Sequence, residues 1–160
     1  MIFNSITFFR FFSVVSLLLL FTNINLKINK DKILLFRHII LLVSSYVFYG
    51  WWNWKCAFLM LVLTLISYWS SLRVEKTKRK VYLIIGVVIP LIILGIFKYF
   101  NFFIDSFCYV FEINKSGTLN IILPVGISFY TFQSMSYTID VYRNQIKCEK
   151  NFINVALYIS

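Results

Sequence analysis

Apolar positions fall into five long runs separated by short polar stretches: Ile6–Ile24, Ile33–Trp51, Cys56–Leu72, Val81–Phe100 and Ile121–Tyr142. Each approaches the ~20 residues a helix needs to cross a hydrocarbon core. The third is shortest, with aromatic residues extending it at both ends. The connections are "NLKINKDK" (Asn25–Lys32), "WNWK" (Trp52–Lys55), "RVEKTKRK" (Arg73–Lys80) and a longer piece, Asn101–Asn120. A sixth apolar run opens at Phe152 and reaches only Ser160, a helical rise of roughly 14 Å, or half a bilayer core. The pattern predicts an all-α, polytopic transmembrane helical bundle of about five spans plus the start of another. Residues 1–160 then form one part of a membrane domain, and the half-length sixth run predicts a chain cut from something larger.

Composition supports that class. Apolar residues make up 60% of the chain, charged residues 14%, and mean hydropathy is +0.80. A soluble domain of this size has too little interior to hide so much apolar surface. The net charge of +10 would suggest nucleic acid in a soluble protein, but here the cations sit between the apolar runs. With the N-terminus outside, Lys27, Lys30, Lys32, Arg37, Arg73, Lys76, Lys78, Arg79, Lys80, Arg143, Lys147 and Lys150 fall on the cytoplasmic side, and Arg10, Lys55, Lys98 and Lys115 on the other. That distribution follows the positive-inside rule and assigns the charge to orientation and anionic headgroups. The lipid bilayer is the partner it predicts, with no nucleic acid. Cys56, Cys108 and Cys148 show no metal or disulfide spacing, so no metal site is expected. The first run lacks a basic n-region and a small-residue cleavage site, and reads as a retained helix.

Several motifs invite a chemical reading. "FYGWWNW" (Phe48–Trp54) places Trp51, Trp52 and Trp54 at the outer end of the second span, where indole rings favour headgroup depth. These are interface anchors. His38, the only histidine, has no carboxylate near it in sequence and reads as structural. Pro90 lies mid-way along the fourth span, where it bends a helix that neighbours can support. In Asn101–Asn120, Asn101, Asp105, Tyr109 and Glu112 recur at helical spacing, which leaves open a short amphipathic surface helix followed by a turn at "NKSG", or an ordinary ordered loop.

The fifth run, "LPVGISFYTFQSMSYTIDVYR" (Leu123–Arg143), is the most informative. It has the length of a span but carries hydroxyls, an amide and an acid. At about 100° per residue, Gly126, Tyr130, Gln133, Ser136, Tyr137 and Asp140 lie within about 60° of one line along a helix. Polar groups in hydrocarbon need partners, so this stripe should face helices or water. The pattern leaves two readings open, interhelical hydrogen bonding (with Arg143 as a local partner for Asp140) or the wall of a polar passage.

The chain resembles the N-terminal part of the membrane-bound O-acyltransferase (MBOAT) family in its bacterial alginate O-acetyltransferase branch. The resemblance is carried by "MIFNS" (Met1–Ser5), "FYGWWN" (Phe48–Asn53), "FKYFNFFIDS" (Phe97–Ser106), the Leu123–Arg143 motif and "FINVALYIS" (Phe152–Ser160), in the family's order and spacing. It implies transfer of acetyl groups across the bacterial inner membrane for O-acetylation of an extracytoplasmic polysaccharide. The acetyl donor it implies is acetyl-CoA or an acyl carrier. The implied partners are the remaining helices of a full-length enzyme, a periplasmic acetyltransferase and the polysaccharide acceptor. The family's essential membrane histidine lies beyond this region, so no catalytic residue is expected in this chain and His38 does not inherit that role. Gln133, Tyr137, Asp140, Ser136 and Tyr130 become candidates for lining or bracing the conduit. The alternative is a small non-catalytic membrane scaffold or assembly protein, or the remnant of a broken gene.

Overall fold

A computed structural model describes residues 6–24, 30–110 and 126–160. They form six helices: α1 (Ile6–Ile24), α2 (Lys30–Trp52), α3 (Trp54–Thr77), α4 (Lys80–Val110), α5 (Ile127–Tyr142) and α6 (Phe152–Ile159). Helices α2 and α3 outrun their apolar stretches by a few residues at each end. Hydropathy marks what must sit in lipid, whereas backbone hydrogen bonding continues into the polar flanks. Only Asn53 separates these two helices. Its Oδ1 accepts from the Lys55 N–H at 3.0 Å, a side-chain cap at the start of α3.

Helix α4 differs from expectation. No separate amphipathic helix begins at Asn101, because α4 runs unbroken for 31 residues from Lys80 to Val110. Between Phe97 and Val110 the sequence has no Gly or Pro to stop it, and the helix runs on through Asn101. The helical spacing of Asn101, Asp105 and Tyr109 thus belongs to the end of α4, not to a new element. Glu112 and the "NKSG" turn lie outside the described residues. Pro90 sits inside α4, fully buried.

Two compact units can be distinguished, Met1–Val62 with Glu149–Ser160, and Leu63–Cys148. In the first, α1 and α2 pack as a hairpin, with Phe8 and Phe11 meeting Phe48 at ring-centroid distances of 5.9 and 6.2 Å. Helix α6 lies along α2. His38 Nδ1 and Asn154 Oδ1 are 2.9 Å apart, and Ser45 Oγ donates to the Ser160 carbonyl at 3.2 Å. Both partners advance together along the chain, so α2 and α6 are parallel.

In the second unit, α3 ends at Lys78 in the left-handed region (φ 51°), whose N–H bonds the Val74 carbonyl at 2.9 Å. That single bond closes the helix and turns the chain into α4. Gly86 of α4 lies against Ser70 of α3 and Thr138 of α5. Helix α5 runs in the same direction as α3, since Ser67 meets Ser134 while Lys78, further on, meets Asn144.

The distribution of surface inverts that of a soluble protein. Leu17, Val47, Ile84, Ile92 and Phe129 are exposed, whereas Ser67, Ser70, Ser71, Ser134 and Thr138 are buried. In lipid there is no hydrophobic drive between helices, and small hydroxyl residues let backbones approach. Among the described residues, three helices have the length and apolarity to cross a bilayer: Ile33–Trp51 within α2, α3, and Lys80–Tyr99 within α4. A shorter apolar helix covers Ile6–Thr22. The chain is a multi-pass membrane protein whose environment is the lipid bilayer.

Candidate functional site

Helix α5, which carries the polar motif, is fixed at both ends by backbone chemistry. Gly126 precedes it at φ 80°, a conformation that suits glycine. At the other end Asn144 adopts φ 59°, with its N–H on the Val141 carbonyl (3.1 Å) and the Gln145 N–H on the Asp140 carbonyl (3.0 Å). This double closure is a Schellman motif, with asparagine at the left-handed position. The Asn144 side chain also accepts from the Lys78 ammonium, tying the end of α5 to the end of α3.

The inward face of α5 carries Ile127, Tyr130, Thr131, Ser134, Tyr137, Thr138 and Val141. The Ser134 and Thr138 hydroxyls bond within α5 and Thr138 also meets α3, whereas Thr131 Oγ1 is buried with no hydrogen-bond partner among the described residues. Ser134 Oγ donates to the Thr131 carbonyl at 2.8 Å and Thr138 Oγ1 to the Ser134 carbonyl at 3.2 Å. From α3, Ser67 Oγ crosses to the Ser134 carbonyl at 2.9 Å and lies 3.3 Å from Thr138 Oγ1. Serine and threonine can sit in this seam because each can return its proton to a carbonyl three or four residues back.

This face is rotated by roughly 90° from the stripe read from sequence. Of the five candidates, Tyr130 and Tyr137 are buried, Gln133 and Asp140 are half-buried, and Ser136 is exposed. The structure thus separates the predicted stripe into a packed pair and a rim of three. Sequence periodicity located the polar helix but not its phase, because hydroxyls occur on nearly every side of it. At the other candidate site, Trp51 and Trp54 are 67% and 70% exposed, and the Trp52 side chain lies outside the described residues.

No family model matches the chain, and no solved structure does either. The probable alginate O-acetylase AlgI of Pseudomonas aeruginosa is 41% identical over 133 residues, which cover 78% of this chain and 26% of that protein. The corresponding protein of Azotobacter vinelandii is 38% identical over 133 residues, 78% of this chain and 27% of that one. The chain belongs to the alginate O-acetylase-like branch of the membrane-bound O-acyltransferases. A peptidoglycan O-acetyltransferase of Helicobacter pylori is 34% identical over 117 residues, covering 70% of this chain and 22% of that protein. The chain spans about a quarter of the length of the curated relatives it matches.

Two further clusters join residues that sequence did not bring together. Near the end of α3, Glu75 Oε1 accepts from the Cys148 N–H at 3.1 Å, and Cys148 Sγ lies 3.5 Å from Ser71 Oγ and 3.7 Å from the Tyr137 hydroxyl. Tyr137, a conduit candidate, is therefore buried against a thiol and held beside the α5–α6 connection. The other cluster surrounds His38, whose partner Asn154 is 116 residues away in sequence. No local signal could have announced either contact. Among the described residues, no group of three or more His, Cys, Asp or Glu side chains could hold a metal ion.

Proposed function

We propose that this chain forms part of a bacterial inner-membrane O-acyltransferase that passes acetyl groups across the membrane for O-acetylation of an extracytoplasmic polysaccharide. The similarity to alginate O-acetylases carries this reading. Within it, residues 1–160 form the first part of the membrane domain, with the N-terminus outside. The donor is acetyl-CoA or an acyl carrier, and the acceptor an alginate-like polysaccharide, reached through a periplasmic acetyltransferase.

Helix directions support a fifth crossing. Helix α5 has 16 residues, a rise of about 24 Å, short of a full core. Yet it runs parallel to α3, with α4 returning between them, as a span would.

The reading divides the work on α5. Tyr130 and Tyr137, packed within the helix seam, brace the helix. Gln133, Ser136 and Asp140, on its rim, line the passage toward the remaining helices of the enzyme. Asp140→Ala and Gln133→Leu should each lower polysaccharide-bound acetate in producing cells, with the protein still inserted at normal levels. Wild-type acetate from both variants would remove the conduit role and leave packing alone.

A further inference from the structure

We infer that Glu149, Asn154 and His38 form one hydrogen-bond relay that latches the first turn of α6 onto α2 and holds the His38 imidazole with a proton on Nδ1. The inference concerns this chain's own architecture and does not depend on the acyltransferase reading.

The chemistry of the donors fixes the direction of every bond. Glu149 lies in the α5–α6 connection, where its carboxylate accepts from the Asn151 N–H at 2.9 Å and from the Asn154 side chain. An ionised carboxylate can only accept, so Asn154 must turn its Nδ2–H₂ toward Glu149. Its Oδ1 is then the atom that faces His38, at 2.9 Å from Nδ1. An amide oxygen can only accept, so the imidazole carries a proton on Nδ1. The carboxylate polarises the amide, and the amide oxygen strengthens its hold on the imidazole N–H.

The relay occupies a defined place. Asn151, between Glu149 and α6, caps the helix through Oδ1, which accepts from the Ile153 N–H at 3.0 Å. Glu149 thus adds a negative charge at the N-terminal end of an eight-residue helix, where the helix dipole favours it. Seven residues along α2, Ser45 secures the far end of α6. His38 and Asn154 are both half-buried, where a misplaced donor would be costly. In sequence His38 stands as an isolated interfacial histidine. Its carboxylate arrives through space, by way of an amide.

His38 is the single histidine, so a chain labelled with ¹⁵N-histidine gives one imidazole to read in micelles. The expected spectrum shows Nδ1 protonated. A spectrum in which Nδ1 is the unprotonated nitrogen would overturn the relay, and this test needs no variant to fold. A charge-relocation series provides the second arm, read by hydrogen exchange of the Val155–Tyr158 amides. Asn154→Asp sets two carboxylates against each other and should speed exchange about tenfold, the equivalent of one lost hydrogen bond to a charged group. Adding Glu149→Gln supplies an amide that can donate to the introduced carboxylate while His38 still donates from the other side, and protection should return. A double variant that exchanges as fast as Asn154→Asp alone would refute the relay, as would an unchanged single variant.

Discussion

The packing of α3, α4 and α5 rests on the missing side chain at Gly86. A Cβ built there would lie 2.5 Å from Ser70 Oγ, 2.7 Å from Thr138 Cγ2 and 3.0 Å from Ser70 Cβ. Carbon contacts settle near 3.5–4.0 Å, so Gly86→Ala forces both neighbours to move. Turning Ser70 Oγ away gives up its bond to the Ser67 carbonyl (3.0 Å) and its approach to Thr138 (3.5 Å), worth about 1 kcal/mol. Rotating Thr138 gives up its bond to the Ser134 carbonyl. Overpacking adds about 1–3 kcal/mol, while the alanine returns about 0.5–1 kcal/mol of helix propensity. The net expectation is a loss of about 1–3 kcal/mol. Gly95 provides the control on the same helix, with nothing within 4 Å of its built Cβ, so Gly95→Ala should be neutral or slightly stabilising. Unfolding of the purified chain by SDS titration in mixed micelles gives both values. Combining Gly86→Ala with Ser70→Ala and Thr138→Ser, which removes the two closest atoms, should recover part of the loss. Equal stability of the Gly86→Ala and Gly95→Ala variants would refute this account of the seam.

Other substitutions probe the same region in different ways. Thr131 Oγ1 is buried with no hydrogen-bond partner among the described residues, so Thr131→Val should leave the unfolding midpoint unchanged or raise it. Ser67→Ala removes a donor that crosses to α5 and should cost about 1 kcal/mol in the same assay. The Asn151 backbone N–H, followed by the Asn154 amide, holds the Glu149 carboxyl below its ordinary range. A lowered value means that Glu149 contributes stability above about pH 4.3. That contribution disappears as pH falls through the folded-state value. The wild-type chain should therefore lose α6 protection on acidification below about pH 4, and Glu149→Gln should flatten that dependence. An identical acid profile for both would show that Glu149 does not couple to α6.

Most of the helices were legible because a lipid environment demands long apolar runs, and each described helix falls on one of them. The end of α4 was misplaced because polar residues at Asn101 and Asp105 looked like a new surface element, whereas the helix continues through them to Val110. The site was less legible. The Leu123–Arg143 motif stood out by composition, but which side of α5 packs inward depends on hydroxyl partners on α3. Those partners, Ser67 and Ser70, look ordinary in their own sequence context. His38 shows the same limit, since its partner Asn154 is 116 residues away in sequence. Distant contacts of this kind follow from helix direction and register, which local pattern does not encode.

The central claim is that this chain serves polysaccharide O-acetylation. The most direct measurement is the ester-linked acetate released by mild base from surface polysaccharide of cells that carry the coding region, before and after its deletion. The account predicts that the acetate disappears on deletion and returns when the wild-type region is restored, with a partial return for Asp140→Ala. Unchanged acetate after deletion would contradict it and leave a membrane protein with a different task.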